Sequence, residues 1–202
     1  MLKELLKKKE FLKIINEFLK EKEIIDIIIF GSFVRGKEKP KDIDIIIIYT
    51  DSFNTLIETN HSLKKKLEKF GIIDVIGKRY SELFSPTFLA RESLLSEGFS
   101  MKNKDFFSHG LGYVNFILFK YSLKKMDKSK RMQFYYSLYG RTQKKGILKK
   151  YNCYKFSDTI ILSPIGSSEM IKEFLQKWDI PFLEFPILIP LKIEQYILKK
   201  EK

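Results

Sequence analysis

Sulfur and imidazole are scarce in this chain. Cys153 is the only cysteine, and His61 and His109 are the only histidines. A lone thiol cannot close an internal disulfide or build a cysteine-based zinc site. Two histidines far apart in sequence do not suggest a His-rich metal centre. The expected setting is a reducing cytoplasm. No apolar run approaches the ~18 residues of a membrane-spanning helix, so no membrane is expected among the partners. The N-terminus, MLKELLKKKEFLKII, is broken by charge throughout and does not read as a secretory signal. Internal repeats and low-complexity linkers are also missing.

Acid is in deficit. The chain carries 38 Lys+Arg against 25 Asp+Glu, a net charge of +13 over 202 residues. Such an excess favours polyanionic partners such as nucleic acid, nucleotides or acidic lipid. A lysine- and isoleucine-rich composition of the kind found in thermophiles yields the same excess with no polyanion involved. Residues 1–80 hold 17 of the cations and 13 of the acids, so most of the excess lies further on. The length allows one large domain or two small ones, and the 44% hydrophobic content is enough for a buried core.

Apolar residues at helical spacing predict an amphipathic helix over residues 2–22. Ile24–Phe30 is a β-branched run closed by Gly31, which predicts a buried strand. A second strand is expected over Asp42–Tyr49, after a Lys-Pro-Lys turn. A helix over 55–70 stopped by Gly71, a third strand over Ile72–Ile76 and a helix over Phe88–Ser96 follow. After residue 101 the texture changes, with aromatics and lysines interleaved. The last segment, from Thr159 onward, reads strand, helix, strand, with Ser167 or Ser168 as the N-cap. Two domains are therefore expected, 1–101 and 102–202, the second a smaller α+β domain.

The densest stretch is IIIFGSFVRGKEKPKDIDIIIIYT, from Ile27 to Thr50. Asp42 and Asp44 point the same way on a strand, about 7 Å apart at Cα. Two ionised carboxylates side by side repel, and burying them unpaired is costly. Ordinary acids on an edge strand would fit the alternation equally. Yet Ile43 and Ile45–Ile48 make the strand apolar on both faces, which argues for a central position. There, something positive must face the acids. Mg²⁺ takes one or two carboxylates plus substrate phosphates. Asp74, a third acid, interrupts the next strand in the same manner. Three carboxylates from two strands can hold two metal ions for in-line phosphoryl displacement. Gly31 permits a sharp turn and close backbone approach to a ligand. Ser32 supplies a hydroxyl, and Arg35 a fixed cation for phosphate.

FGSFVRGKEKPKDIDIII resembles the signature of the polymerase-beta-type nucleotidyltransferase superfamily: Gly-Ser, nine residues, then Asp-apolar-Asp, with a later strand acid. FLARESLLSEGFSM is similar to the helix ending in Glu-Gly that follows the third acid in minimal members. The resemblance covers residues 1–101. Lys41 departs from it, since many members carry Ser before the first Asp. It implies an α/β domain with a mixed sheet and helices on one side. It also implies transfer of a nucleoside monophosphate from an NTP, ATP included, to an acceptor hydroxyl. Carried over, Asp42 and Asp44 ligate two Mg²⁺ ions. Asp74 ligates the ion that activates the acceptor, and Gly31 and Ser32 hold the β- and γ-phosphates.

The second half resembles no known family. There Arg141, Lys144, Lys145, Lys149 and Lys150 cluster among five tyrosines. Such a surface neutralises phosphates and stacks unpaired bases, which makes RNA the expected acceptor. A protein acceptor, as in toxin–antitoxin pairs, and a small-molecule acceptor are the alternatives with the same chemistry. A nucleic-acid-binding protein with a dead catalytic fold is the non-enzymatic one. His109, Cys153 and Trp178 are expected to be structural.

Overall fold

A computed structural model describes residues 2–141 and 144–198. The chain divides into two compact units, with the division between Leu111 and Gly112.

In the first unit, the expected N-terminal helix is two helices, α1 (Leu2–Leu5) and α2 (Lys9–Phe18). The break falls at Leu6–Lys8, where lysines at the end of α1 complement its dipole and Lys7 pairs with Glu4 at 2.7 Å. Strands β1 (Ile24–Phe30) and β2 (Ile43–Tyr49) follow, then α3 (Leu56–Leu67) and β3 (Ile73–Arg79). The unit closes with α4 (Arg91–Glu97), β4 (Phe99–Ser100), β5 (Asp105–Phe106) and α5 (Phe107–Gly110). The five strands form one mixed sheet in the order β3-β2-β1-β4-β5. Only the β2–β3 pair is parallel; the others run antiparallel. Residues 105–110 stay with this unit because β5 extends the sheet from β4.

Isoleucine dominates β1 and β2 because both faces are covered, the condition under which a strand reads as a continuous apolar run. Ile27, Ile28, Ile29, Ile46 and Ile47 are fully buried. On one face, Tyr49 reaches α3 through a 2.9 Å bond from its hydroxyl to Asn60 Oδ1. On the other, Ile28, Ile46 and Ile48 pack with Leu83, Phe88 and Leu94. The helices therefore flank the sheet on two sides, not on one.

The second unit carries β6 (Tyr113–Tyr121), α6 (Lys128–Tyr139), a hairpin of β7 (Gly140–Arg141) and β8 (Lys144–Lys145), and α7 (Ile147–Lys150). It continues through β9 (Tyr154–Ser157), β10 (Ile160–Pro164), α8 (Ser168–Lys177), β11 (Phe182–Pro190) and α9 (Leu191–Leu198). Its antiparallel sheet runs β11-β6-β10-β9. Aromatic packing unites the helices: Phe134 stacks on Phe174 at 5.6 Å and meets Trp178 edge-on at 5.7 Å. The expected strand, helix, strand ending is present as β10, α8 and β11. The N-cap differs in kind. Ser167 occupies the position without a side-chain cap bond, and Ser168 Oγ donates to Ile165 O at 2.9 Å. Among the described residues no helix is long and apolar enough to cross a membrane.

Candidate active site

The acids sit where three strands of the first sheet end together. Asp42 immediately precedes β2, and Asp44 is its second residue. In the parallel pairing of β2 with β3, Asp44 lies opposite Asp74. Register partners on adjacent strands share a face, so Asp74 points with Asp44. On the other side of Asp44 the antiparallel pairing brings Phe30, the last residue of β1. The chain then turns at Gly31 directly against the acid. Gly31 has φ +79°, and a Cβ built there would collide with Asp44 Oδ2. A residue with a side chain would both strain the backbone and displace the carboxylate.

Beyond Gly31 the chain coils through one tight turn. Val34 and Arg35 donate their N–H groups to Gly31 O at 3.1 and 3.3 Å, and Lys37 donates to Ser32 O at 3.2 Å. No regular helix starts here. Instead the Ser32 hydroxyl and the Ser32 and Phe33 amides lack hydrogen-bond partners among the described residues. These donors stand beside the acids. Unpaired backbone donors at a turn form a concavity suited to an anion.

The clustering has an electrostatic consequence. Burial raises the Asp44 carboxyl above the ordinary aspartate range, and the charges of Asp42, Asp74 and Glu97 raise it further, while Arg35 pulls it down. Asp74 itself is exposed, so solvent reaches the group from the β3 side. Arg35 does not stand free. Its Nη1 donates to both oxygens of Glu97, at 2.8 and 2.7 Å. Glu97, 4% exposed, is the last residue of α4, so this pair clamps the turn to the helix on the far face. The expected phosphate-binding arginine is thus already engaged with an acid, though its charge still acts on Asp44.

The side-chain oxygens of these aspartates are hard donors, which suit Mg²⁺ and not a soft transition metal. They are neighbours and not a closed cage: among the described residues no three His, Cys, Asp or Glu side chains converge to hold an ion as they stand.

Two acids went unassigned in the sequence. Glu97 was visible as the Glu-Gly that ends a helix. Asp26 was hidden as one acid inside an isoleucine run. It is 5% exposed on β1, accepting from Ser100 Oγ at 2.6 Å and Lys102 N at 3.2 Å. Those bonds tie the loop after β4 to the sheet, away from the other acids.

The five basic residues lie together in the second unit, all exposed, on the β7–β8 hairpin and α7. The Arg141 guanidinium lies 5.0 Å from the Tyr136 ring centroid and Lys150 Nζ 5.2 Å from that of Tyr151. Gly140, at φ +96°, and Gly146 approach so closely that neither has room for a Cβ. His109, on the short helix α5, donates from Nδ1 to Asp105 Oδ2 at 2.9 Å.

A family model described as Polymerase beta, Nucleotidyltransferase matches residues 12–96. No curated protein and no solved structure matches the chain.

Proposed function

We propose, from the match of residues 12–96 to the Polymerase beta, Nucleotidyltransferase family model, that the protein transfers a nucleoside monophosphate from an NTP to a hydroxyl of RNA. The observation that carries the reading is the register of Asp44 with Asp74 beside the Gly31–Ser32 turn. It supports a triphosphate lying along the turn, with its α-phosphorus at the acids.

Asp42 and Asp44 would hold both Mg²⁺ ions and Asp74 one of them. Bound there, the ions neutralise the phosphates and the developing charge. The remaining work falls to the chain. Gly31 lets the turn approach the β- and γ-phosphates, and the Ser32 hydroxyl and the Ser32 and Phe33 amides donate to them. Arg35, held by Glu97, supplies a fixed positive charge behind Asp44. The acceptor oxygen bonds to the α-phosphorus as the α–β bridging P–O bond breaks. Pyrophosphate leaves, and the hydroxyl proton passes to the Asp74 carboxylate. The exposed cations Arg141, Lys144, Lys145, Lys149 and Lys150 support binding of an RNA acceptor by the second unit.

Calorimetry with each NTP, with and without Mg²⁺, tests the site. Binding is expected for at least one NTP only when Mg²⁺ is present, and Asp42→Asn is expected to remove it. Equal binding with and without the metal would exclude this mechanism.

A further inference from the structure

A cavity of about 180 Å³ lies in the second unit, where the N-terminus of α6 meets the C-terminus of α8. Met126, Trp178 and Ile180 are apolar walls, and Lys125, Lys130 and Asp179 charged ones. Small-molecule sites run from about 300 Å³ upward, so this cavity suits one planar ring and not a whole nucleotide. Backbone bonds fix its walls: Ser122 N donates to Pro181 O at 3.1 Å, and Met126 N to Leu123 O at 3.0 Å. Trp178 meets the rings of Phe134 and Phe174 at steep angles, 80° and 60°, and also lines the cavity.

Asp179 is unfavourable where it stands. α8 ends in a Schellman turn, with Ile180 N donating to Leu175 O at 3.1 Å and Asp179 N to Gln176 O at 2.9 Å. Asp179 takes the left-handed position of that turn, at φ +51°, where glycine or asparagine is the usual occupant. A carboxylate at a helix C-terminus also opposes the dipole. Among the described residues no hydrogen bond or ion pair engages this carboxylate, nor the ammonium groups of Lys125 and Lys130. Asp127, the other acid in the lining, caps α6 by accepting from Lys130 N at 2.8 Å. Packing gives no reason for an acid at 179, whereas a ligand that donates to it does.

Two lysines and two aspartates around an indole suit a neutral heterocycle better than a bare phosphate. Aromatic side chains stack unpaired bases, and neighbouring polar groups read their edges. A carboxylate accepts best from two adjacent N–H donors. Guanine carries such a pair on its Watson–Crick edge, at N1 and N2. Adenine and cytosine set an amino group beside a bare ring nitrogen, and uracil sets one N–H between two carbonyls. Lys125 and Lys130 flank the N-terminus of α6, whose dipole also favours phosphate. At the other end of α6, about 18 Å away along the helix, the β7–β8 hairpin carries Arg141, Lys144 and Lys145.

From these observations we infer that the cavity seats one unpaired guanine of the acceptor strand, a deepening that rests on the proposed RNA acceptor. The Trp178 indole stacks on the base, and the Asp179 carboxylate accepts from its N1–H and N2–H. Lys125 and Lys130 contact the adjoining phosphates, and the strand runs along α6 to the basic hairpin. The second unit thus selects RNA by a base as well as gripping it by charge.

Trp178 is the only tryptophan in the chain, so tryptophan emission reports on this cavity. The full-length protein is titrated with a short oligouridine and with the same strand carrying one central guanosine or inosine. Guanosine is expected to quench Trp178 and to tighten binding roughly tenfold over plain oligouridine, the scale of one stacked base. Inosine, which lacks the N2 amino group, should fall between the two. Asp179→Asn and Asp179→Gly suit the left-handed turn, so the fold should survive. Both should remove the preference for guanosine and leave oligouridine bound. Equal binding and quenching by all three strands would overturn the guanine site and leave the RNA reading standing. A guanosine preference that persists in both variants would do the same. Binding of none of the strands would overturn both.

Discussion

Asp44 is held in an unfavourable state by its neighbours. Its carboxyl is raised by burial and by three nearby acids, so the folded protein binds a proton there more readily than the unfolded chain does. The stability it contributes is present at acid pH and lost as pH rises through its raised folded value. Asp44→Asn is therefore expected to raise the melting temperature of the metal-free protein near neutral pH, with the gap closing on acidification. The same change should abolish transfer. Thermal melts across pH check the first expectation and activity assays the second. Removing Arg35 raises the Asp44 carboxyl further. Arg35→Ala deletes the charge that lowers the Asp44 carboxyl and strips Glu97, 4% exposed, of its donor. A loss of about 2 kcal/mol in denaturant unfolding is expected. Cys153 gives a quieter expectation. Burial pushes its thiol up to about 11, and the side chain lies against Ser163 Oγ at 3.4 Å. It should resist thiol reagents in the native state and react only on unfolding.

At the scale of elements, the Gly31 turn is the most exacting feature. Gly31→Ala puts a methyl group where Asp44 Oδ2 lies, in a left-handed backbone. The expected cost is roughly 1–3 kcal/mol, with transfer falling further than stability accounts for. Gly110→Ala, which meets open space, is the matched control and should leave both unchanged. Strands were the most readable elements because isoleucine runs bounded by Gly31 and by Lys39-Pro40 leave few alternatives. Helix ends were less so. The break at Leu6–Lys8 leaves the apolar periodicity intact, and α4 begins at Arg91 instead of Phe88, whose ring packs into the core ahead of the helix. In the second unit β6 and α6 went unassigned. Aromatics around α6 blur its period, although Asp127 accepts from Lys130 N at 2.8 Å as an N-cap written in the sequence. The pairing of Asp44 with Asp74 could be anticipated because each interrupts an isoleucine-rich strand, whereas Asp42 lies just ahead of β2 and Asp74 is exposed. The Arg35–Glu97 pair could not be anticipated, since 62 residues separate them and only the fold brings them together.

The first unit carries 20 Lys+Arg against 17 Asp+Glu, and the second is rich in exposed lysine and tyrosine. If the second unit grips RNA through phosphates, affinity must fall steeply with salt. Lys144→Glu with Lys145→Glu should weaken RNA binding and flatten its salt dependence by about 1.4 in log–log slope for two single-strand phosphates. NTP binding should not change, because the triphosphate is assigned to the first unit. Filter binding over a salt series checks this.

The most direct test follows the label. The protein is incubated with Mg²⁺, RNA and an NTP labelled on either the α- or the γ-phosphate. The account predicts α-label in the RNA, γ-label in pyrophosphate, and neither product with Asp74→Asn. Transfer of γ-label to the acceptor, or equal turnover by wild type and Asp74→Asn, would contradict it.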